Sequence, residues 1–182
     1  MAGLDVQLKF SAGLSRVDVD RGRSTRLRLR RAIGKWLENY IRDRVQQRGI
    51  GAYGKLKGYS ASPFLMMWPR PSSLKPIIPP RGGVKTRQGR YYRGGYKQYK
   101  NLTGQVWDKF TLTNRGDLWR DWKYFERNSL TEPIELGFSD PRNSEVAEVE
   151  RTLHGRPGIF KLDSKGRRLL NKFIENWLKT NF

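Results

Sequence analysis

The chain has 182 residues, no cysteine and a formal net charge of +20, from 37 Lys and Arg against 17 Asp and Glu. That length suits a single domain, 1–182, and the missing thiols exclude disulfides and thiolate metal sites. No apolar run approaches the roughly 20 residues needed to span a bilayer, so no membrane partner is expected, and the charge points to polyanions: nucleic acid first, acidic protein surfaces second.

The first residues, MAGLDVQLKFSAG, lack a basic region followed by a long apolar stretch, so no secretory signal is expected. Leu4, Val6, Leu8 and Phe10 alternate with polar residues, which predicts a strand, and a second short strand is expected around Val17–Val19. Residues 1–22 therefore read as an extended arm.

A helix is expected from Ser24 or Thr25, either of which suits its cap, to Gly49. Leu29, Ile33, Trp36, Leu37, Tyr40, Ile41 and Val45 recur at spacings of three and four, and most of the arginines fall outside that stripe. At about 1.5 Å per residue the helix would be roughly 36 Å long. Ile33, Trp36, Leu37, Tyr40 and Ile41 are its expected core contacts with a sheet.

Residues 49–104 hold ten glycines and six prolines, and from Arg44 to Trp107 inclusive there are 13 Lys and Arg and no acid. Regular helix is not expected there. The segment 49–101 reads as a long basic loop inserted into the domain. Lys55, Lys57, Arg70, Arg81, Lys85, Arg87, Arg90, Arg93, Lys97 and Lys100 are its candidate polyanion- or partner-binding cations. Tyr53, Tyr59, Phe64, Trp68, Tyr91, Tyr92, Tyr96 and Tyr99 are interleaved with them. Such a pattern serves either nucleic acid, with cations on phosphate and rings on unpaired bases, or an acidic protein neighbour.

Beyond the loop, 102–114 predicts a strand and 116–125 suits a short helix or a strand. Ile134, Leu136 and Phe138 predict another strand, turned by Ser139-Asp140-Pro141. Glu145–Leu153 suits a short helix. Asp163 or Ser164 then caps a last helix with the stripe Leu169, Leu170, Phe173, Ile174, Trp177 and Leu178. The expected fold class is α+β: a small antiparallel sheet packed against the long amphipathic helix and the C-terminal helix.

No catalytic constellation, metal site or cofactor site is expected. The one histidine, His154, has no cysteine or nucleophile-elbow serine to work with. A nuclease would need carboxylates gathered around Mg²⁺. Asp117, Asp121, Asp140, Glu145 and Glu148 have no diagnostic spacing and suit turns, helix starts and ion pairs.

The motif order resembles the tail-completion, or virion-morphogenesis, proteins of long-tailed phages. A long amphipathic helix precedes a basic loop, and Tyr99-Lys100-Asn101-Leu102-Thr103-Gly104 opens the next part. Then come Ile134-Glu135-Leu136-Gly137-Phe138, Glu145 to His154-Gly155, Arg156-Pro157-Gly158-Ile159-Phe160, and Leu162-Asp163-Ser164 leading into the last helix. Two departures are a tight connection between His154-Gly155 and Phe160 and a long 49–101 insertion. The resemblance, over residues 25–182, implies a non-enzymatic structural subunit of the head–tail connection, located in the virion neck and made in the host cytoplasm. It implies a homo-oligomeric ring, hexameric or dodecameric. The ring's partners would be neighbouring neck, portal-side or tail-tube proteins, with non-specific DNA contact in the channel. The rival reading is an RNA-binding structural protein of a ribonucleoprotein particle. The strongly apolar last helix and the clustering of acids between Asp108 and Asp163 favour protein–protein layers over it.

Overall fold

The computed structural model describes residues 23–69, 78–112, 117–152 and 158–181. Both amino-terminal strands, Arg70 and His154 lie outside them. In chain order the elements are α1 (Arg23–Arg42), a π-helical turn (Asp43–Gln47), β1 (Ile50–Gly51), β2 (Gly54–Lys55), β3 (Phe64–Met67), β4 (Val84–Lys85) and β5 (Gly89–Tyr92). They continue with α2 (Gly95–Leu102), α3 (Asp117–Asp121), β6 (Trp122–Phe125), β7 (Glu135–Phe138), α4 (Pro141–Thr152) and α5 (Ser164–Thr180). The fold is α+β, with a long N-terminal helix, a C-terminal helix and small antiparallel sheets.

These elements form two compact units. One comprises the described residues up to Lys55 together with those from Leu112 onward; the other is Leu56–Thr111.

In the first unit, β6 and β7 pair antiparallel with Trp122 opposite Phe138 and Tyr124 opposite Leu136. Helix α1 packs on this hairpin, α5 packs on α1, and α4 packs on β7. The stripe of α1 delivers Ile33, Leu37, Ile41 and Val45 to the core, all buried. Trp36 and Tyr40 are only half-buried. They stack on each other at 4.9 Å, and Trp36 also meets Phe173 of α5 at 6.0 Å. The helical rise continues as a π turn and stops at Gly49, whose N–H reaches Val45 O at 2.9 Å.

The aromatic centre of this unit is Trp122, fully buried, stacked on Phe160 at 5.0 Å and tilted against Phe138 at 5.2 Å. Below it lies Glu38, a buried carboxylate on α1. It accepts from Tyr124 N at 2.9 Å, Lys35 Nζ at 3.0 Å and Arg42 Nη2 at 3.1 Å, so its burial costs little. Asp163 caps α5 as expected, its side chain accepting from Gly166 N at 2.9 Å. Helix α4 starts at Pro141, four residues before the expected Glu145. Proline suits the first helical turn, and Asp140 Oδ1 accepts from Arg142 N at 2.9 Å.

The segment expected as a loop is instead the second unit, with a sheet, a helix and a core of its own. Strands β3, β5 and β4 form an antiparallel sheet in that spatial order. Phe64 faces Tyr92, Leu65 faces Tyr91 and Met66 faces Arg90 across β3 and β5, while Val84 faces Tyr91 across β4 and β5. Helix α2 occupies a stretch where none was expected, because its two flanking glycines lie at its start and its interior is helix-compatible. Gly95 has φ +67°, and a Cβ there would fall 2.5 Å from Ser62 O, so glycine serves the approach and not a loop. The strand expected over 102–114 is absent among the described residues. Leu102 ends α2, and Gln105–Leu112 is irregular.

Candidate polyanion-binding surface

The aromatics of the second unit explain how so charged a segment folds. Tyr92, Tyr99 and Phe110 are buried, and Tyr59, Phe64 and Tyr96 complete the cluster. Phe64 stacks on Tyr92 at 5.4 Å, Tyr96 on Tyr99 at 5.2 Å, and Tyr59 meets Phe110 at 5.2 Å. Rings placed as base-stacking candidates are thus mostly core. Burial raises the phenol of Tyr92 above its ordinary range although Arg90 works against it, and its hydroxyl donates to Pro80 O at 2.8 Å. Among the described residues of this unit the exposed aromatics are Tyr91 and Trp107, the latter with the Lys97 ammonium 4.9 Å from its ring centre; the candidate Tyr53 is exposed on the first unit.

The candidate cations divide by position. Lys57, Arg81, Lys85, Arg87, Arg93 and Lys97 are exposed on the second unit. Lys85 lies on the edge strand β4, Arg87 at the tip of the β4–β5 hairpin, Arg93 just beyond β5 and Lys97 on α2. The hairpin is closed by Thr86, whose N–H donates to Gly89 O at 2.8 Å and whose Oγ1 accepts from Gly89 N at 3.0 Å. At Gly89 a Cβ would stand 2.0 Å from Met66 O, so only glycine lets β5 approach β3 here. This local rigidity presents Arg87 from a fixed turn.

Three candidates depart from the expected exposed loop. Arg90 is half-buried, donates to Gly83 O at 3.2 Å and lies 5.8 Å from the centre of the Trp68 ring. Lys100 is 1% exposed. Its ammonium donates to Gln105 Oε1 at 2.5 Å and sits 5.0 Å from the Tyr59 ring centre and 5.7 Å from that of Tyr96. It is an internal cation held by ring faces and an amide, and burial withdraws it from any phosphate. Lys55 is exposed but belongs to the first unit, on β2.

The charge of this unit is out of proportion to its acids. Leu56–Thr111 contains eleven Lys and Arg and one carboxylate, Asp108. One acid cannot neutralise them, so the unit presents a strongly positive surface whatever its local contacts. The first unit has an equal net charge, 26 Lys and Arg against 16 Asp and Glu, but mixes the two signs. There Arg31 pairs with Glu126, Arg48 with Asp43 at 2.6 Å, Arg127 with Glu135 at 2.5 Å and Arg151 with Glu148 at 2.5 Å.

Three of the carboxylates weighed for metal-dependent chemistry, Asp121, Asp140 and Glu148, have structural work. Burial pushes the Asp121 carboxyl up, but hydrogen bonds from Asn143 and from the backbone of Asp140 and Ser139 outweigh it and hold the group below its ordinary range. Asp140 caps α4, and Glu148 binds Arg151, which holds its carboxyl low. Among the described residues no three His, Cys, Asp or Glu side chains gather closely enough to hold a metal ion. No described helix is long and apolar enough to cross a membrane.

Two residues that matter to the fold escaped the sequence pattern. Glu38 sits among arginines on α1 and reads as a surface charge, and Arg44 reads as part of the solvated face. No protein-family model, curated protein or solved structure matches the chain.

Proposed function

We propose that the chain is a non-enzymatic structural subunit of a phage head–tail connection, acting by protein–protein assembly around the DNA channel. One observation carries this reading: the separately cored unit Leu56–Thr111, under a third of the chain, carries half of its net charge with a single acid, whereas the first unit mixes 26 Lys and Arg with 16 Asp and Glu. A subunit bridging layers needs a surface of one charge, and the acid-poor unit Leu56–Thr111 supports that reading. The motif resemblance supplies the class of assembly. The burial of Tyr92, Tyr99 and Phe110 in the core of the second unit disfavours the ribonucleoprotein alternative, because those rings are withdrawn from unpaired bases. In the proposed neck the exposed cations face DNA phosphates in the channel or an acidic neighbouring protein.

The test is deletion of the gene from the genome that carries it, followed by electron microscopy of the lysate. Filled heads and free tails that fail to join are the expected result. Normal joined virions, or a lysate with no virion phenotype, would overturn the proposal.

A further inference from the structure

Lys85 and Arg90 stand directly opposite each other across β4 and β5. Residues paired in register share a sheet face, so two cations lie side by side where like charges weaken a sheet. Arg87, at the turn that joins the two strands, adds a third. Among the described residues none of the three has a carboxylate partner.

The hairpin is pinned in this arrangement. Trp68 donates from its backbone N–H to Gln88 O at 2.9 Å and from Nε1 to Thr86 O at 3.3 Å. Arg90 is held in turn by Gly83 O and by the Trp68 ring, with its Nε buried and without an acceptor. Its Nη2 makes no hydrogen bond among the described residues and is not fully buried, so that donor is left for a ligand. Sequences break a local rule chiefly at functional sites, and a bound anion would turn this repulsion into attraction.

We infer that Lys85, Arg87 and Arg90 form a phosphate-binding site for the backbone of duplex DNA, with a phosphate between the two opposed cations. A duplex carries one charge per about 1.7 Å of its axis, dense enough to engage three cations on one hairpin. On this face the neighbouring apolar side chains, Met66 and Trp68, are half-buried, so an acidic protein would find no exposed apolar anchor. The Trp68 ring is already engaged by Arg90, so a single strand would find no free ring on this face for its bases. The inference rests on the polyanion reading of the second unit and deepens it by naming the site and its ligand.

A double-mutant cycle on the full-length chain tests it, with Lys85→Gln, Arg90→Gln and both together melted at low salt. Lys85→Gln raises the melting temperature by about 1–4 °C, and the gain disappears when Arg90→Gln is also present. Lys172→Gln, which removes one exposed charge from α5, gives a smaller gain. Fluorescence anisotropy with a short DNA duplex reads the ligand. Lys85→Gln and Arg87→Gln each bind it more weakly, with the slope of log affinity against log salt flatter by about 0.9; Lys172→Gln leaves that slope unchanged. Poly-glutamate and oligothymidine bind less tightly than the duplex. One substitution, Lys85→Gln, thus stabilises the fold and weakens the binding.

A Lys85→Gln variant that melts at or below the wild type, or keeps its gain beside Arg90→Gln, would overturn the opposed-cation site. Unchanged duplex binding by that variant, or tighter binding of poly-glutamate or oligothymidine than of the duplex, would overturn the ligand. These readouts need no virion, so the inference and the neck reading fail separately.

Discussion

Arg44 Nη1 lies 3.3 Å from Asp163 Oδ1, and the guanidinium is 1% exposed. The same side chain donates from Nε to Ile50 O at 3.2 Å and from Nη2 to Ile159 O at 3.0 Å and Lys161 O at 2.6 Å. It thereby ties the end of the long helix to β1 and to the cap of α5. Removing one partner of a buried ion pair typically costs about 3–5 kcal/mol. Arg44→Met should lose stability of that order in urea unfolding, whereas the exposed Arg48→Met should lose about 1 kcal/mol or less.

Asp163 also sets an acid limit. Burial pushes its carboxyl up, but hydrogen bonds from Tyr40 and Gly166 N, together with the charge of Arg44, outweigh that and hold it below the ordinary value of 3.8. A group depressed in the folded state stabilises above its unfolded value, and that contribution is lost as pH falls through the lower folded value. Stability should therefore decline as pH drops below about 4, and Asp163→Asn, which keeps the cap, should flatten that decline. Melting temperatures measured from pH 6 to pH 2 check it.

Two tryptophans separate what the helix stripe predicts from what packing decides. Trp122→Ala removes a fully buried ring and should cost about 3–5 kcal/mol. Trp36→Ala, at a position expected in the core but found half-buried, should cost distinctly less because part of its surface already faces water. Denaturant titration of both variants orders them.

The two kinds of cation should respond differently to substitution. Lys100→Met should leave the salt dependence of DNA binding unchanged, since its ammonium is enclosed by Tyr59, Tyr96 and Gln105. Binding by the wild type should be independent of sequence. Each exposed cation engaged with a duplex phosphate contributes about −0.9 to the slope of log affinity against log salt. Reversing Lys85, Arg87, Arg93 and Lys97 to Glu should flatten that slope and abolish binding. Fluorescence anisotropy across a salt series reads both effects.

The helices α1 and α5 were legible because period and cap agree: Ile33, Leu37 and Ile41 on one stripe, and Asp163 ahead of Gly166. The second unit was not, because its glycines and prolines read as a loop when averaged over 49–104. Gly89 and Gly95 stand there because backbones approach closely, a tertiary cause that local composition does not carry. The tyrosines had the same ambiguity, since a ring spaced among cations suits a base or a core equally until the register pairs Phe64 with Tyr92. Lys100 followed from that miss. A lysine one position after Tyr99 on an unforeseen helix is carried inward, while Lys97, one turn earlier, is left outside.

The central claim, that the positive surface of Leu56–Thr111 joins the layers of the neck, is tested most directly by complementation. A deletion strain is supplied with the chain carrying Lys85→Glu, Arg87→Glu, Arg93→Glu and Lys97→Glu. The variant should fold, since exposed charges contribute little to stability, yet leave filled heads and free tails unjoined in the micrographs. Joined and infectious virions at wild-type yield would contradict the claim.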